Sequence, residues 1–408
     1  MKKFSCFIIV FITLLSLILT GCNNNEYQES NTFLPLSNVV YPTKEKENVR
    51  ISQDLVKAVN EMYFEIAEDL VVEKENFIFS PTSLYIALSM LTEGSVNETY
   101  EELMDFLNIN SLEDLRTLNK GIYENNYYEN KDGKLKLANS LWTRHGLNVG
   151  KEYIETLETS YYGEVYNVDF ANSNDQENIR KWINKNTDNF LNINEDNYKI
   201  DSNLSALLIN TLYFNNKWQD EFKEKNTYED YFYNPNEELV KYMVHTIDSM
   251  YKRTNEYLAV GDYFKNGNRI VYVLPNEGIN VYDLLEEDVT TYDGFNSCQA
   301  TINVPKFKYQ KAYNLNNILQ DHGVNGVFGG GLDKINQSLY LSYIKQDVGI
   351  ELSEEGVKAA AITSGGMCES AGPEEFINVK LNRPFIYYIL DNQNVILFVG
   401  VINKPQFE

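Results

Sequence analysis

The sequence predicts an α+β fold built as one large domain. Three observations carry this. Helical periodicities come early in the chain, β-rich runs dominate later, and nothing after residue 48 shows an internal repeat or a second low-complexity segment. Residues 49–408 are long for a single core, so helices must combine with large sheets.

The elements follow in order. Leu55, Val59, Met62, Ile66 and Leu70 recur at steps of four, three, four and four, which is one helical face. In SPTSLYIALSMLTEG, Ser80 suits an N-cap, Pro81 the first helical position and Gly94 the terminus. Leu84, Ala87, Leu88 and Leu91 are apolar and Ile86 lies on another face, so this helix is expected to be buried. Another helix fits Asn97 to Leu107, and Ile179, Trp182, Ile183 and Phe190 mark a further one. LSALLINTLYF (204–214) and NRIVYVLP (268–275) are continuous apolar runs, as in strands covered on both faces. QATINVPKFKY (299–309) alternates like a half-exposed strand, and LYLSYIKQDVGIEL (339–352) is long and β-rich. FINVKLNRPFIYYILD and VILFVGVIN close the chain with further strands.

The N-terminus has a different character. Lys2 and Lys3 precede an apolar run to Leu19, the pattern of an export signal rather than a spanning helix. The run ends Leu19-Thr20-Gly21-Cys22, which resembles a bacterial lipoprotein signal. That resemblance implies a signal peptide over 1–21, acylation of Cys22 and an anchor on the outer face of a membrane. Residues 22–48, rich in Asn, Ser, Glu and Lys, read as a flexible tether.

Net charge is −24, which argues against nucleic acid as a partner and against a basic membrane patch. With Cys6 in the signal and Cys22 lipidated, only Cys298 and Cys368 remain, so no disulfide framework exists. Cys298 reads as a buried small hydrophobe. The three histidines, His145, His245 and His322, accompany no G-x-S-x-G elbow, and no zinc or calcium spacing is present. Gly329-Gly330-Gly331 lacks the Lys and Ser/Thr of a phosphate loop and reads as a turn. No enzyme chemistry, cofactor or metal is expected.

The stretch LSEEGVKAAAITSGGMCESAGPEEF (352–376) is unlike the rest. Read with period two, Val357, Ala359, Ala361 and Thr363 form a small, largely nonpolar face; Lys358, Ala360, Ile362 and Ser364 form the other. Small residues suit a strand entering an already folded sheet, with Gly356 as hinge.

Here the sequence resembles the serpins, the metastable protease inhibitors. NFIFSPTSLYIALSMLTEG (76–94), INTLYFNNKWQDEF (209–222), VPKFKYQKAYNLNNILQDHGVNGVF (304–328), EEGVKAAA, and LNRPFIYYIL with ILFVGVINKP match in the family's order. The resemblance spans about residues 50–408. It implies a large central, mostly antiparallel sheet with further sheets, about eight or nine helices, and an exposed reactive loop near 354–375. It also implies suicide inhibition: a protease cuts the loop, forms an acyl-enzyme, and is carried off as the loop inserts into the central sheet. The hinge is then Glu354, Glu355, Gly356, Val357, Ala359, Ala360 and Ala361; Ser80, Ser83, Asn210, Trp218 and Gln346 are the residues beneath and beside the insertion path. Gln346 stands where the family usually has His, Val357 where it often has Thr, and Lys358 where it is usually acidic.

Counting forward from Glu354 puts the reactive bond at Ser370–Ala371, within a window that includes Met367, Cys368, Glu369 and Gly372; counting back from Pro384 gives Pro373. No Lys or Arg occurs between Lys358 and Lys380, and no aromatic before Phe376. The expected target is therefore an elastase-like or subtilisin-like serine protease, with a glutamyl-specific or papain-like cysteine protease second. Cys368 is expected to be an exposed thiol on the bait. The protein is expected to act as a monomer. Competing readings are a serpin that has lost inhibition and a surface lipoprotein that binds carbohydrate or another solute.

Overall fold

Ser52 opens the first helix by accepting a hydrogen bond from the Leu55 amide. In the computed structural model, which describes residues 27–28, 30–42, 49–356 and 375–407, this helix is α1 (Gln53–Leu70). It buries Val59, Met62, Ile66 and Leu70, four of the five positions on the expected face. The next helix, α2 (Pro81–Gly94), has Ser80 as N-cap and Pro81 in its first turn, and every one of its residues is buried. Its polar side chains are met inside the protein, Ser89 and Thr92 by carbonyls one turn back and Glu93 by Arg116, so the whole helix lies in the interior. There follow α3 (Asn97–Phe106), α4 (Leu112–Asn126), α5 (Lys151–Thr156), α6 (Ser173–Asn186) and α7 (Asn316–Asp321). The described residues thus hold seven α-helices, close to the expected number, with short 3-10 and π turns besides.

The helix marked by Ile179, Trp182 and Ile183 does not extend to Phe190. It ends at Asn186, and Asp188 and Asn189 both take left-handed backbone conformations (φ 52° and 59°). Asp and Asn tolerate this region better than most residues. The two reversals direct Phe190 onto the sheet below.

Sixteen strands make two sheets among the described residues: β1 (Leu34–Pro35), β2 (Phe77–Phe79), β3 (Tyr128–Asn130), β4 (Gly133–Arg144), β5 (Gly163–Val168), β6 (Ala206–Asn216), β7 (Tyr228–Asn234), β8 (Asn236–Arg253), β9 (Tyr257–Tyr263), β10 (Arg269–Pro275), β11 (Asn296–Pro305), β12 (Phe307–Asn314), β13 (Tyr343–Leu352), β14 (Phe376–Lys380), β15 (Phe385–Leu390) and β16 (Ile396–Ile402). The first sheet runs β1-β5-β4-β6-β13-β12, with β3 on β4. The second runs β14-β11-β8-β9-β10-β15-β16-β2, with β7 on β8. Helix α2 packs against β6 of one sheet and β16 of the other. The Thr82 hydroxyl donates to Ile396 O at 2.6 Å, tying the helix to the second sheet.

Two strand readings are corrected. The alternating run 299–309 is not one strand: β11 pairs with β8 in the second sheet, β12 pairs with β13 in the first, and the chain changes sheets at Lys306. Pro305, with no N–H to give, sits at the break. The run from 339 becomes a strand only at Tyr343; Leu339 and Leu341 are buried in the preceding loop instead.

Within the segment read as a flexible tether, the described residues between 27 and 42 lie against the body. β1 pairs with β5, and the Gln28 backbone exchanges hydrogen bonds with the Asn178 side chain. Phe33 stacks on Tyr166 at 5.5 Å and Tyr41 on Tyr127 at 4.6 Å. Composition hid this, because the few aromatic contacts that dock the segment show no period.

Candidate functional site

Two strands of the first sheet define the site. β6 and β13 are parallel neighbours, paired from Leu207–Tyr343 to Leu212–Val348. Beyond that point, among the described residues, β13 pairs only with β12, and β6 only with β4. Among these residues the junction is therefore zipped along one part and unpaired at the end where β13 leads into the expected hinge.

The turn at that end is tight. Ser353 N donates to Gly356 O at 3.0 Å and Gly356 N to Ser353 O at 3.1 Å, which reverses the chain across Glu354 and Glu355. Gly356 also bridges Lys217, just beyond β6, in antiparallel fashion. Its φ is 115°, and a Cβ would lie 2.2 Å from Asn216 O, so both the conformation and the space require glycine.

Side chains clamp this turn. Trp218 is fully buried, stacks on Phe264 at 4.7 Å, and donates Nε1–H to Ser353 O at 2.9 Å. Glu354 accepts from Thr227 Oγ1 at 2.9 Å and pairs with Lys306 Nζ at 2.7 Å. Burial works against the Glu354 carboxylate, but the Lys306 ammonium, its own backbone amide and the Thr227 hydroxyl hold it below the ordinary range. Lys306 is also the residue at which the chain changes sheets, so the clamp links the turn to both sheets.

Beneath the paired part lies the N-terminus of α2. Gln346 accepts from Ser80 N at 3.1 Å and donates to Ser80 O at 2.9 Å, satisfying both backbone groups of the cap. Asn210, directly opposite Gln346 in register, bonds the Ser83 hydroxyl and donates to Ser83 O at 2.7 Å. Asn210 also bonds Asn139, which in turn bonds Tyr123. A fully connected buried polar row thus crosses under β4, β6 and β13.

On the opposite face of β13, Asp347 is buried and its Oδ2 finds no hydrogen-bond partner among the described residues. Burial pushes its carboxyl up to about 6, against the pull of Lys345. The Lys345 ammonium packs on the Tyr198 and Tyr343 rings at 4.4 and 4.9 Å.

Ser80, Ser83, Asn210, Trp218, Gln346, Glu354, Glu355 and Gly356 therefore lie along one line, from the polar row to the turn. Val357, Ala359, Ala360 and Ala361, the bond Ser370–Ala371 with Met367, Cys368, Glu369 and Gly372, and Cys22 fall outside the described residues. Sequence reasoning missed Lys306, Thr227 and Asn139. An Asn amid the apolar run LKLANSLW was a usable signal for Asn139; Thr227 offered none. Cys298 is buried, where burial raises its thiol to about 11. His245 engages Asp262 at 2.9 Å through Nε2 and Asp220 O at 3.0 Å through Nδ1, so neither ring nitrogen is left to activate a nucleophile. No cluster of His, Cys, Asp or Glu among the described residues can hold a metal.

Asp347 generates a pH prediction. A carboxyl raised from 3.8 to about 6 penalises the folded chain wherever it is ionised, so its contribution falls as the pH rises through that interval. Asp347→Asn is expected to stabilise the protein at pH 7, by an amount on the order of 3 kcal/mol, and to have little effect near the lower end of the interval. Thermal midpoints of both proteins across that range check this; parallel profiles would contradict it.

Residues 13–405 match the family model described as serpin (serine protease inhibitor). A serpin-like protein of Methanosarcina acetivorans is 28% identical, with all of both chains covered. Human serpin B4 is 25% identical over 86% of this chain and 99% of its own. Among solved structures, the native state of tengpin, a thermophilic serpin, aligns with a TM-score of 0.79 at 24% identity, over 91% of this chain and 100% of that one. Members of this family are generally protease inhibitors rather than catalysts, and the chain belongs to the serpin family.

Proposed function

We propose that this chain is a suicide-substrate inhibitor of serine proteases, and that the loop following Gly356 inserts between β6 and β13 once cut. Insertion of a cleaved loop as an extra strand is the established serpin mechanism. In the first step the protease nucleophile forms an ester with a loop carbonyl while the peptide C–N bond breaks and the new amine takes the proton. Insertion before water attacks that ester traps the enzyme.

One observation carries the reading: Gly356 is already turned back between Ser353 and Lys217. A strand continuing from it runs antiparallel to both β6 and β13, so insertion replaces one parallel junction with two antiparallel ones, the slightly more stable pairing. Both bridges specify the same alignment, and it agrees with the existing register of β6 against β13. Carried forward, that alignment puts Lys358 opposite Glu351, Ala359 between Ile350 and Phe214, and Thr363 between Gln346 and Asn210. The basic residue thus meets an acid, the small residue meets the apolar interior, and the hydroxyl meets the polar row.

The target is an elastase-like or subtilisin-like serine protease, since the loop offers small and acidic residues and no basic anchor; a cysteine protease is the second class. The reactive bond is Ser370–Ala371. The protein acts as a monomer, held at the outer surface of a bacterial membrane by lipid on Cys22.

Incubation with pancreatic elastase or subtilisin is expected to give a complex that survives denaturing gels, with the released peptide locating the bond. Ala359→Arg would force an unpaired cation into the interior and is expected to cut complex formation about tenfold or more while cleavage continues. Cleavage of the unaltered protein by every protease tried, with no complex, would assign it to the non-inhibitory members of the family. For the anchor, metabolic labelling with palmitate should mark the protein and fail with Cys22→Ser; equal labelling of both would refute lipidation at that residue.

A further inference from the structure

Where β6 and β13 part, a narrow cleft opens, with Tyr213 and Asn215 on one wall and Gly349 and Glu351 on the other. Phe190 lines the cleft as well. Its ring rests on the bare backbone of Gly349: a Cβ there would lie 2.5 Å from Phe190 Cε1. On the other side the ring faces Tyr213, with centroids 6.0 Å apart, and Lys308 Nζ lies 5.3 Å from the ring centre. Phe190 thus touches both strands just past their last paired residues.

Its backbone is held in place. Phe190 N donates to Thr187 O at 2.8 Å, and Asp188, in the left-handed turn before it, pairs with Lys134 at 3.0 Å. Next to the ring is a cavity of about 520 Å³, shared by Phe190, Tyr213 and Asn215 with Asn130, Lys131 and Asn189. This half-open groove is larger than the cavity of about 150 Å³ that holds a benzene ring, so it has room for the side chain.

In the register fixed by Gly356, Ala360 falls between Gly349 and Tyr213, the two residues that Phe190 contacts. We propose that Phe190 is a positioning residue that gates strand entry: resting on Gly349 it pins β6 to β13, and turned into the neighbouring cavity it lets the strand advance past Ala360. The inference rests on the insertion mechanism proposed above. It accounts for two features that the fold alone does not require, namely glycine at 349 and the paired left-handed residues that throw an aromatic ring away from the end of α6.

The test uses a synthetic peptide with the sequence of residues 356–370, annealed into the folded, uncut protein and followed by native mass spectrometry. Phe190→Ala removes the gate, and Gly349→Ala ejects the ring with its new methyl group. Each is expected to accelerate uptake about tenfold, the scale of one aromatic contact with a cation on its face. The double variant is expected to be no faster than Phe190→Ala alone, because both act on one contact. Phe33→Ala, an aromatic deletion remote from the cleft, controls for general destabilisation and is expected to leave the rate unchanged. Equal acceleration by Phe33→Ala, additive single effects, or a Phe190→Ala rate within about twofold of the parent would overturn the gate. Uptake by none of the proteins, the parent included, would overturn the insertion mechanism and the gate with it.

Discussion

The half-paired parallel junction between β6 and β13 is the constraint on which the rest of the structure depends. Among the described residues its edges are unpaired and leave backbone groups that a further strand could satisfy, and the chain that would supply this strand starts at its mouth. On the insertion mechanism proposed above, such a sheet is folded yet short of its best pairing, and it persists through barriers rather than equilibrium.

Under that proposed mechanism the surrounding side chains set the barrier. Trp218, Thr227 and Lys306 hold the turn from Ser353 to Gly356, and Phe190 covers the cleft beyond it. Gln346 and Asn210 tie the paired part to the cap of α2. A net contribution of about 1 kcal/mol per neutral hydrogen bond makes this row modest in stabilisation. Its geometric role is larger, since Gln346 and Asn210 face each other across the junction and would accept a hydroxyl placed between them. Asp347 works in the other direction. Burial of its carboxyl, whose Oδ2 has no hydrogen-bond partner among the described residues, disfavours the ionised form despite the pull of Lys345.

Much of this was legible in the sequence, for identifiable reasons. α2 was readable because Ser80-Pro81 and Gly94 bracket a run rich in apolar residues, and β10 because its apolar run is bounded so sharply that the expected 268–275 became Arg269–Pro275. The two faces read by alternation from Val357 to Ser364 lie outside the described residues. Features that depend on long-range placement were not legible. Phe190 falls seven residues after Ile183, a helical spacing, so periodicity assigned it to α6; only the left-handed pair at Asp188 and Asn189 moves it to the sheet. Lys306 looked like an outward residue of a single strand because nothing local marks a change of sheet. The docked residues between 27 and 42 resembled a tether because Phe33 and Tyr41 find partners far along the chain.

The central claim, that the intact protein holds a sheet awaiting its own strand, is tested most directly by heat. Thermal unfolding followed by circular dichroism would compare the intact chain with the same chain nicked once between residues 357 and 374. Strand insertion predicts that the nicked protein unfolds roughly 20 °C or more above the intact one. Equal midpoints, or a lower midpoint after nicking, would show that the cut loop gains no place in the sheet and would contradict the account.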